Sequence, residues 1–170
     1  IPESVFTAIR TAQTTAETAQ TTANKKMDAK NPVGTGSFSM NRKSGTTVGI
    51  YSHAEGQGTT ASGGNSHAEG YGTTVSGSYS HAEGCNTTAS GTRSHAEGYY
   101  TTASGDYQHV QGKYNIKDTN NKYAHIVGNG DNYATGVVYS NAHTLDWNGN
   151  AWYAGQVYVG GNQESEGTRL

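Results

Sequence analysis

Five histidines recur at intervals of fourteen residues: His53, His67, His81, His95 and His109. Four are followed two residues later by a glutamate (Glu55, Glu69, Glu83 and Glu97), and the fifth has Gln111 in that place. Imidazole beside carboxylate is the material of general acid–base pairs and of metal ligation. Catalysis needs one asymmetric constellation, whereas this pair repeats unchanged along the chain. The His-x-Glu of zinc deaminases also requires a downstream Pro-Cys-x-x-Cys. Cys85 is the single cysteine and proline stands only at positions 2 and 32, so that chemistry is excluded. There is no His-Glu-x-x-His and no Gly-rich phosphate loop closed by Lys. Ser140, His143 and Asp146 lie near one another in sequence but lack the setting of a nucleophile elbow. No catalytic residue, cofactor or metal is assigned, and the chain reads as a non-enzyme.

The element that carries these pairs is a repeat. Ser-His-Ala-Glu-Gly stands at Ser52–Gly56, Ser66–Gly70, Ser80–Gly84 and Ser94–Gly98, with a degraded copy at Gln108–Gly112. Thr-Thr-Ala-Ser-Gly or a close relative fills the intervals, at Thr59–Gly63, Thr73–Gly77, Thr87–Gly91 and Thr101–Gly105. Fourteen residues is too short for helical repeats of about 33. It fits one coil of a β-solenoid, two short strands joined by glycine corners. Alternation puts Ser52 and Ala54 on one face and His53 and Glu55 on the other. The small set faces inward, because so short a coil encloses almost no width. Shifting back by fourteen lays Phe38-Ser39-Met40-Asn41 on Ser52–Glu55, which predicts a capping rung near residues 38–49 with Phe38 and Met40 inward. Ala124–Gly128 repeats the strand after a two-residue insertion, and Asn132–Gly136 reads as a further corner. The roll is expected over residues 31–136.

Composition agrees. Leu, Ile, Val and Phe supply 19 of 170 residues, Gly supplies 24, and the net charge is −2. So little apolar material suits a repetitive β scaffold rather than an ordinary globular enzyme. The charge balance excludes a basic nucleic-acid footprint. No apolar run approaches the roughly 18 residues of a spanning helix, so membrane insertion is not expected. The chain begins at Ile1 without Met or a secretory segment and reads as a piece of a longer protein.

A roll filled with Ser, Ala and Thr needs partners, since small scaffolds without disulfide or metal depend on oligomerisation. Thr11–Glu17 and Thr18–Asn24 are near-identical heptads, TAQTTAE and TAQTTAN. Val5, Ile9, Ala12, Ala16, Ala19 and Ala23 follow the alternating spacing of a coiled-coil seam. Pro2 suits a helix start and Asn31-Pro32 a stop. Residues 1–30 are expected to form a trimeric coiled-coil stalk.

A coiled coil, a connector and units of Ser-x-Ala-x-Gly…Thr-x-Ala-x-Gly resemble the YadA-type head of trimeric adhesins over about residues 38–112. The resemblance implies a left-handed parallel β-roll assembled as a homotrimer. The family's outward Val and Ile are replaced by His and Glu, which implies a polar rather than a dry trimer interface. Tyr123–Gly128 with Asn141–Gly155 resembles the C-terminal part of tail-fibre and baseplate proteins from phages and prophages of Gram-positive bacteria. Asn148-Gly149 signals a hairpin there, Gln156–Gly160 a third strand, and Asn162–Leu170 a frayed polar end. Residues 137–170 are expected to form a C-terminal β tip.

Three readings of the columns His53, His67, His81, His95 and His109 and Glu55, Glu69, Glu83 and Glu97 stand open. They are a hydrogen-bonded seam between chains, a solvent-facing stripe, or an ion site near a threefold axis; the first is carried forward as a trimer-interface column. Pairing each His with a Glu is expected to raise the imidazole pKa and keep the assembly intact at pH 5. Tyr71, Tyr99 and Tyr100 sit at corners and are candidate receptor contacts by sugar stacking, or mere covers for neighbouring corners. Trp147 and Trp152 are candidate receptor contacts or core of the tip, and Cys85 an incidental thiol. The expected function is that of a phage or phage-derived tail-fibre segment in the virion tail. It would bind a bacterial cell-surface glycan or other receptor and join other tail or baseplate proteins. A bacterial surface adhesin head and a bare spacer are the alternatives.

Overall fold

The computed structural model describes residues 2–27, 38–40, 42–43, 46–155, 158–159 and 168–169. The protein is mainly β, with one helix at its N-terminal end and a solenoid of about six turns. Helix α1 (Glu3–Met27) starts after Pro2, whose carbonyl accepts from Val5 N at 2.9 Å. Its threonines are poor helix formers. They turn their hydroxyls back onto the preceding turn, as Thr7 does to the Glu3 carbonyl and Thr18 to that of Thr14. The seam residues Val5, Ile9, Ala12, Ala16 and Ala19 are exposed on the single chain. The predicted stop at Asn31-Pro32 lies outside the described residues.

The solenoid has two parallel faces. One begins with β1 (Phe38–Met40) and β2 (His53–Glu55). The other begins with β3 (Thr60–Ala61). Then β4 (His67–Glu69), β6 (His81–Cys85), β8 (His95–Tyr99) and β10 (His109–Lys113) continue the first face. The second is continued by β5 (Thr74–Val75), β7 (Thr88–Ala89) and β9 (Thr102–Ala103). Residues of one type stack on their own kind, His53 on His67 and Ala54 on Ala68. The interior is a double column fully closed to solvent: Ala54, Ala68, Ala82, Ala96, Val110 and Ile126 against Ala61, Val75, Ala89 and Ala103. Buried serines satisfy corner carbonyls, Ser66 Oγ donating to Gly63 O and Ser94 Oγ to Gly91 O, both at 2.7 Å. At the corners the backbones almost touch. Gly84 has φ +103°, and a β-carbon there would overlap the Gly98 carbonyl of the next rung.

The extra first rung exists, but in a different register. Phe38 pairs with His53 and Met40 with Glu55, an offset of fifteen rather than fourteen. Ser39 takes the buried place, and Phe38 and Met40 occupy the positions of the His and Glu columns. The interior at this level is sized for alanine, and a phenylalanine inside it would overpack. Val48, 2% exposed, fills the second face one residue before Gly49, where Ala61 stands two before Gly63. Arg42 closes the irregular coil through Ser39 Oγ and the Thr46 carbonyl.

At the far end β11 (Tyr123–Asn129) adds one more parallel strand, with His125 on His109. The second face stops at β9, and side chains replace the missing backbone. Asn115 Oδ1 accepts from Thr102 N at 2.7 Å and its Nδ2 donates to Thr102 O at 3.0 Å, as a peptide of another rung would. Buried Gln108 and Asp118 close the interior below it, joined Nε2 to Oδ2 at 3.0 Å. The corner expected at Asn132–Gly136 is instead an antiparallel hairpin, β12 (Asp131–Tyr133) with β13 (Gly136–Val138). The chain then returns as β14 (Asn141–Asp146), antiparallel to β11, and turns at Asn148-Gly149 into β15 (Ala151–Tyr153). These two strands extend the same nine-stranded sheet as the repeats. The predicted third strand appears as β16 (Tyr158–Val159), and its partner is β17 (Thr168–Arg169), inside the segment expected to fray.

Candidate functional site

Because the first face is parallel and in register, its outward residues form files. The imidazoles of His53, His67, His81, His95 and His109 stack at 4.7–4.9 Å between centroids, within 18° of parallel. That is the rung spacing itself. His125 and His143 continue the file at 5.2 and 5.6 Å with tilted rings, and Tyr153 closes it at 4.5 Å from His143. All seven histidines of the chain therefore stand in one line. His143 joins because β14 folds back on β11. The Ser140–His143–Asp146 grouping does not assemble. Asp146 is instead bound into the hairpin turn by Asn148 N and by Asn150 N and Nδ2.

Beside the imidazoles runs the carboxylate file, in an open groove of about 580 Å³ lined by Glu55, Glu69, Glu83 and Glu97 and their following glycines. His53 Nε2 lies 3.4 Å from Glu55 and His67 Nε2 3.7 Å from Glu69, within one rung. Further along the partner changes: His95 reaches Glu83 at 3.9 Å and His109 reaches Glu97 at 3.4 Å, across rungs. Gln111 leaves five repeat imidazoles to four carboxylates, and His81, at the change of register, is the one without an ion pair. Burial, then the neighbouring His67 and His95, hold its pKa below 6.5. His125 is lowered likewise by burial, then by His109 and His143. The rise expected from one-to-one pairing is thus reversed at His81, because burial, and then the neighbouring histidines, outweigh the pull of the carboxylates. The carboxylates also partner one another. A hydrogen bond with Glu83 raises the Glu69 pKa, and the same bond lowers that of Glu83. Of the two, Glu69 is therefore the carboxyl that protonates first as the pH falls.

Two corners carry the aromatic residues. One holds Tyr71 and Tyr99 beside Tyr100, all exposed, as the sequence placed them. Tyr100 stacks on Tyr114 at 4.9 Å, and Tyr99 meets both rings edge-on. Tyr114 itself is covered, and its phenol is pushed up to about 12 by burial and a hydrogen bond with Tyr99. The opposite corner holds residues the sequence reading missed. Tyr51, Tyr79 and Tyr107 are each about 60% exposed and have φ of +55° to +59°. Left-handed backbone is costly for so bulky a residue. Arg93 lies between two of them, its guanidinium carbon 5.2 Å from the Tyr79 ring and 5.3 Å from Tyr107. Their recurrence every 28 residues was the available signal. Trp147 and Trp152 are about half exposed on the single chain. Trp147 donates to the Asn121 carbonyl at 2.9 Å, and Trp152 borders a groove of about 460 Å³ with Tyr123, Lys122 and Asn150. Cys85 is a half-buried free thiol.

No family model, no curated protein and no solved structure matches the chain.

Proposed function

We propose that the protein is a segment of a homotrimeric attachment fibre, from a phage or phage-derived tail, that binds glycan on a bacterial surface. In that assembly three helices α1 bundle into a stalk and three left-handed rolls form the shaft. The observation that carries the reading is where the aromatic residues lie. Among the described residues Tyr114 is the only aromatic in the buried set, while Tyr51, Tyr71, Tyr79, Tyr99, Tyr107 and Trp152 are exposed. A scaffold closed by Ala, Ser and Thr presents its rings to the outside. Tyr and Trp there offer flat apolar faces with a polar handle, the chemistry that stacks on sugars. The exposed Val5 and Ile9 on α1 supply an apolar strip for a bundle.

Two measurements test the reading. Sedimentation should give a trimer that Val5→Asp with Ile9→Asp dissociates; a folded monomer at micromolar concentration contradicts the assembly. The intact protein should bind a panel of bacterial surface polysaccharides, and Tyr79→Ala with Tyr107→Ala or Trp152→Ala should weaken that binding without altering circular dichroism. A trimer that binds none of them supports a spacer, the role that the near-identity of successive rungs favours.

A further inference from the structure

Four buried nitrogens on the shaft lack a hydrogen-bond partner: Nε2 of His67, His81, His95 and His109. Each belongs to a half-exposed ring, so the ring edge is wet while the ligating atom is turned toward the carboxylate file. Leaving such atoms unsatisfied is costly unless something else uses them. We propose that the histidine–glutamate face is a linear site for divalent transition-metal ions, with zinc as the fitting case. This does not rest on the attachment reading.

The ligand atoms already cluster. His53, Glu55 and His67 form one set, Glu69, His81 and Glu83 a second, and Glu83, His95 and Glu97 a third, each with its three atoms within 4.8 Å of one another. Zinc binds imidazole nitrogen and carboxylate oxygen at about 2.0–2.2 Å in a tetrahedron, whose edge is then about 3.4 Å. Within the sets, the His53–Glu55 separation is 3.4 Å and the His95–Glu83 separation 3.9 Å. These are too long for good hydrogen bonds and fit two corners of one coordination sphere. Three protein ligands leave a fourth position for water. Nitrogen with carboxylate oxygen suits zinc, nickel or copper better than magnesium or calcium, which take oxygen alone.

The charges agree with this assignment. Four carboxylates in file, with no Lys or Arg in the repeated pair, need a positive partner. Along the file the structure gives them imidazoles at 3.4–3.9 Å and no permanent cation among the described repeat residues. Because the second and third sets share Glu83, one chain accommodates two ions with complete ligand sets.

Isothermal titration of zinc chloride into the intact, chelator-treated protein at pH 7.5 tests the proposal, with cobalt(II) as a spectroscopic probe. The expected result is two ions per chain and the intense visible absorption of tetrahedral cobalt. His67→Gln with His81→Gln and His95→Gln should weaken binding by more than the 10–100-fold typical of lost outer partners, with unchanged circular dichroism. If that triple variant does not fold, Glu83→Gln alone should reduce the stoichiometry, since it removes a ligand common to two sets. Zinc bound equally well by a folded variant, or no zinc bound by the parent, overturns the proposal.

Discussion

Replacing Gly84 by alanine should nearly unfold the solenoid, and the structure separates the reasons. At φ +103° an L-residue is strained, at about 1–2 kcal/mol by the cost of left-handed backbone. In addition the new β-carbon would overlap the Gly98 carbonyl. Restoring an ordinary carbon–oxygen contact of about 3.3–3.6 Å requires the rungs to part by more than about 1 Å. That movement would break the bonds of His81 N to Ser94 O at 3.0 Å and Tyr100 N to Cys85 O at 2.9 Å. Each loss costs about 1–3 kcal/mol where the groups stay dry. The sum, about 3–8 kcal/mol, rivals the whole stability of an ordinary domain. Two controls divide it. Gly136 has φ +123° with nothing within 4 Å, so Gly136→Ala carries the backbone cost alone, about 1–2 kcal/mol. A β-carbon at Gly63 would overlap the Gly77 carbonyl without a positive φ, so Gly63→Ala carries the steric cost alone, about 2–6 kcal/mol. Urea unfolding followed by far-ultraviolet circular dichroism at one fixed protein concentration reads all three. If Gly84→Ala costs no more than Gly136→Ala, the rungs are not held at contact distance and the reasoning fails.

Other outcomes follow from the files and the cap. With chelator present, the melting temperature should be highest above pH 6.5 and fall below it. His81 and His125 have folded pKa values below 6.5, so the unfolded chain takes up protons first and gains stability until the pH reaches those lower values. His81→Gln should flatten that fall, and a melting temperature unchanged from pH 7.5 to 5 would refute it. Asn115→Ala should cost about 2–4 kcal/mol by leaving Thr102 N and O without partners, and hydrogen exchange at the Thr102 amide should accelerate. Ser39→Leu, at the buried position of the first rung, should destabilise it by about 1–3 kcal/mol through overpacking beside Ala54. A Ser39→Leu variant as stable as the parent would show that Ser39 does not face the interior.

The solenoid was legible because its signal is redundant. Each of Ala54, Ala68, Ala82 and Ala96 repeats the same inward choice, so one period fixes the faces of the whole shaft. Where redundancy ends, so does the reading. Phe38-Ser39-Met40 admits two registers one residue apart, and in a strand that slip exchanges the faces. Hydrophobicity favoured Phe38 inside, but the width set by Ala54 decided for Ser39. Asn115 acting in place of a strand has no local signature, because its partner Thr102 is thirteen residues away.

The chemistry divides in the same way. The sequence by itself determined that His and Glu alternate outward in file and that Tyr71, Tyr99 and Tyr100 stand at corners, since strand alternation depends only on position along the chain. Only the tertiary structure decided which glutamate each histidine faces, that His81 is left over, that the Glu69 and Glu83 pKa values are pushed apart, and that His143 joins the line. Those outcomes depend on distances of a few tenths of an ångström between side chains of neighbouring rungs, and on the direction in which β14 returns. Both are set by packing between segments distant in sequence, which a period read along the chain does not contain.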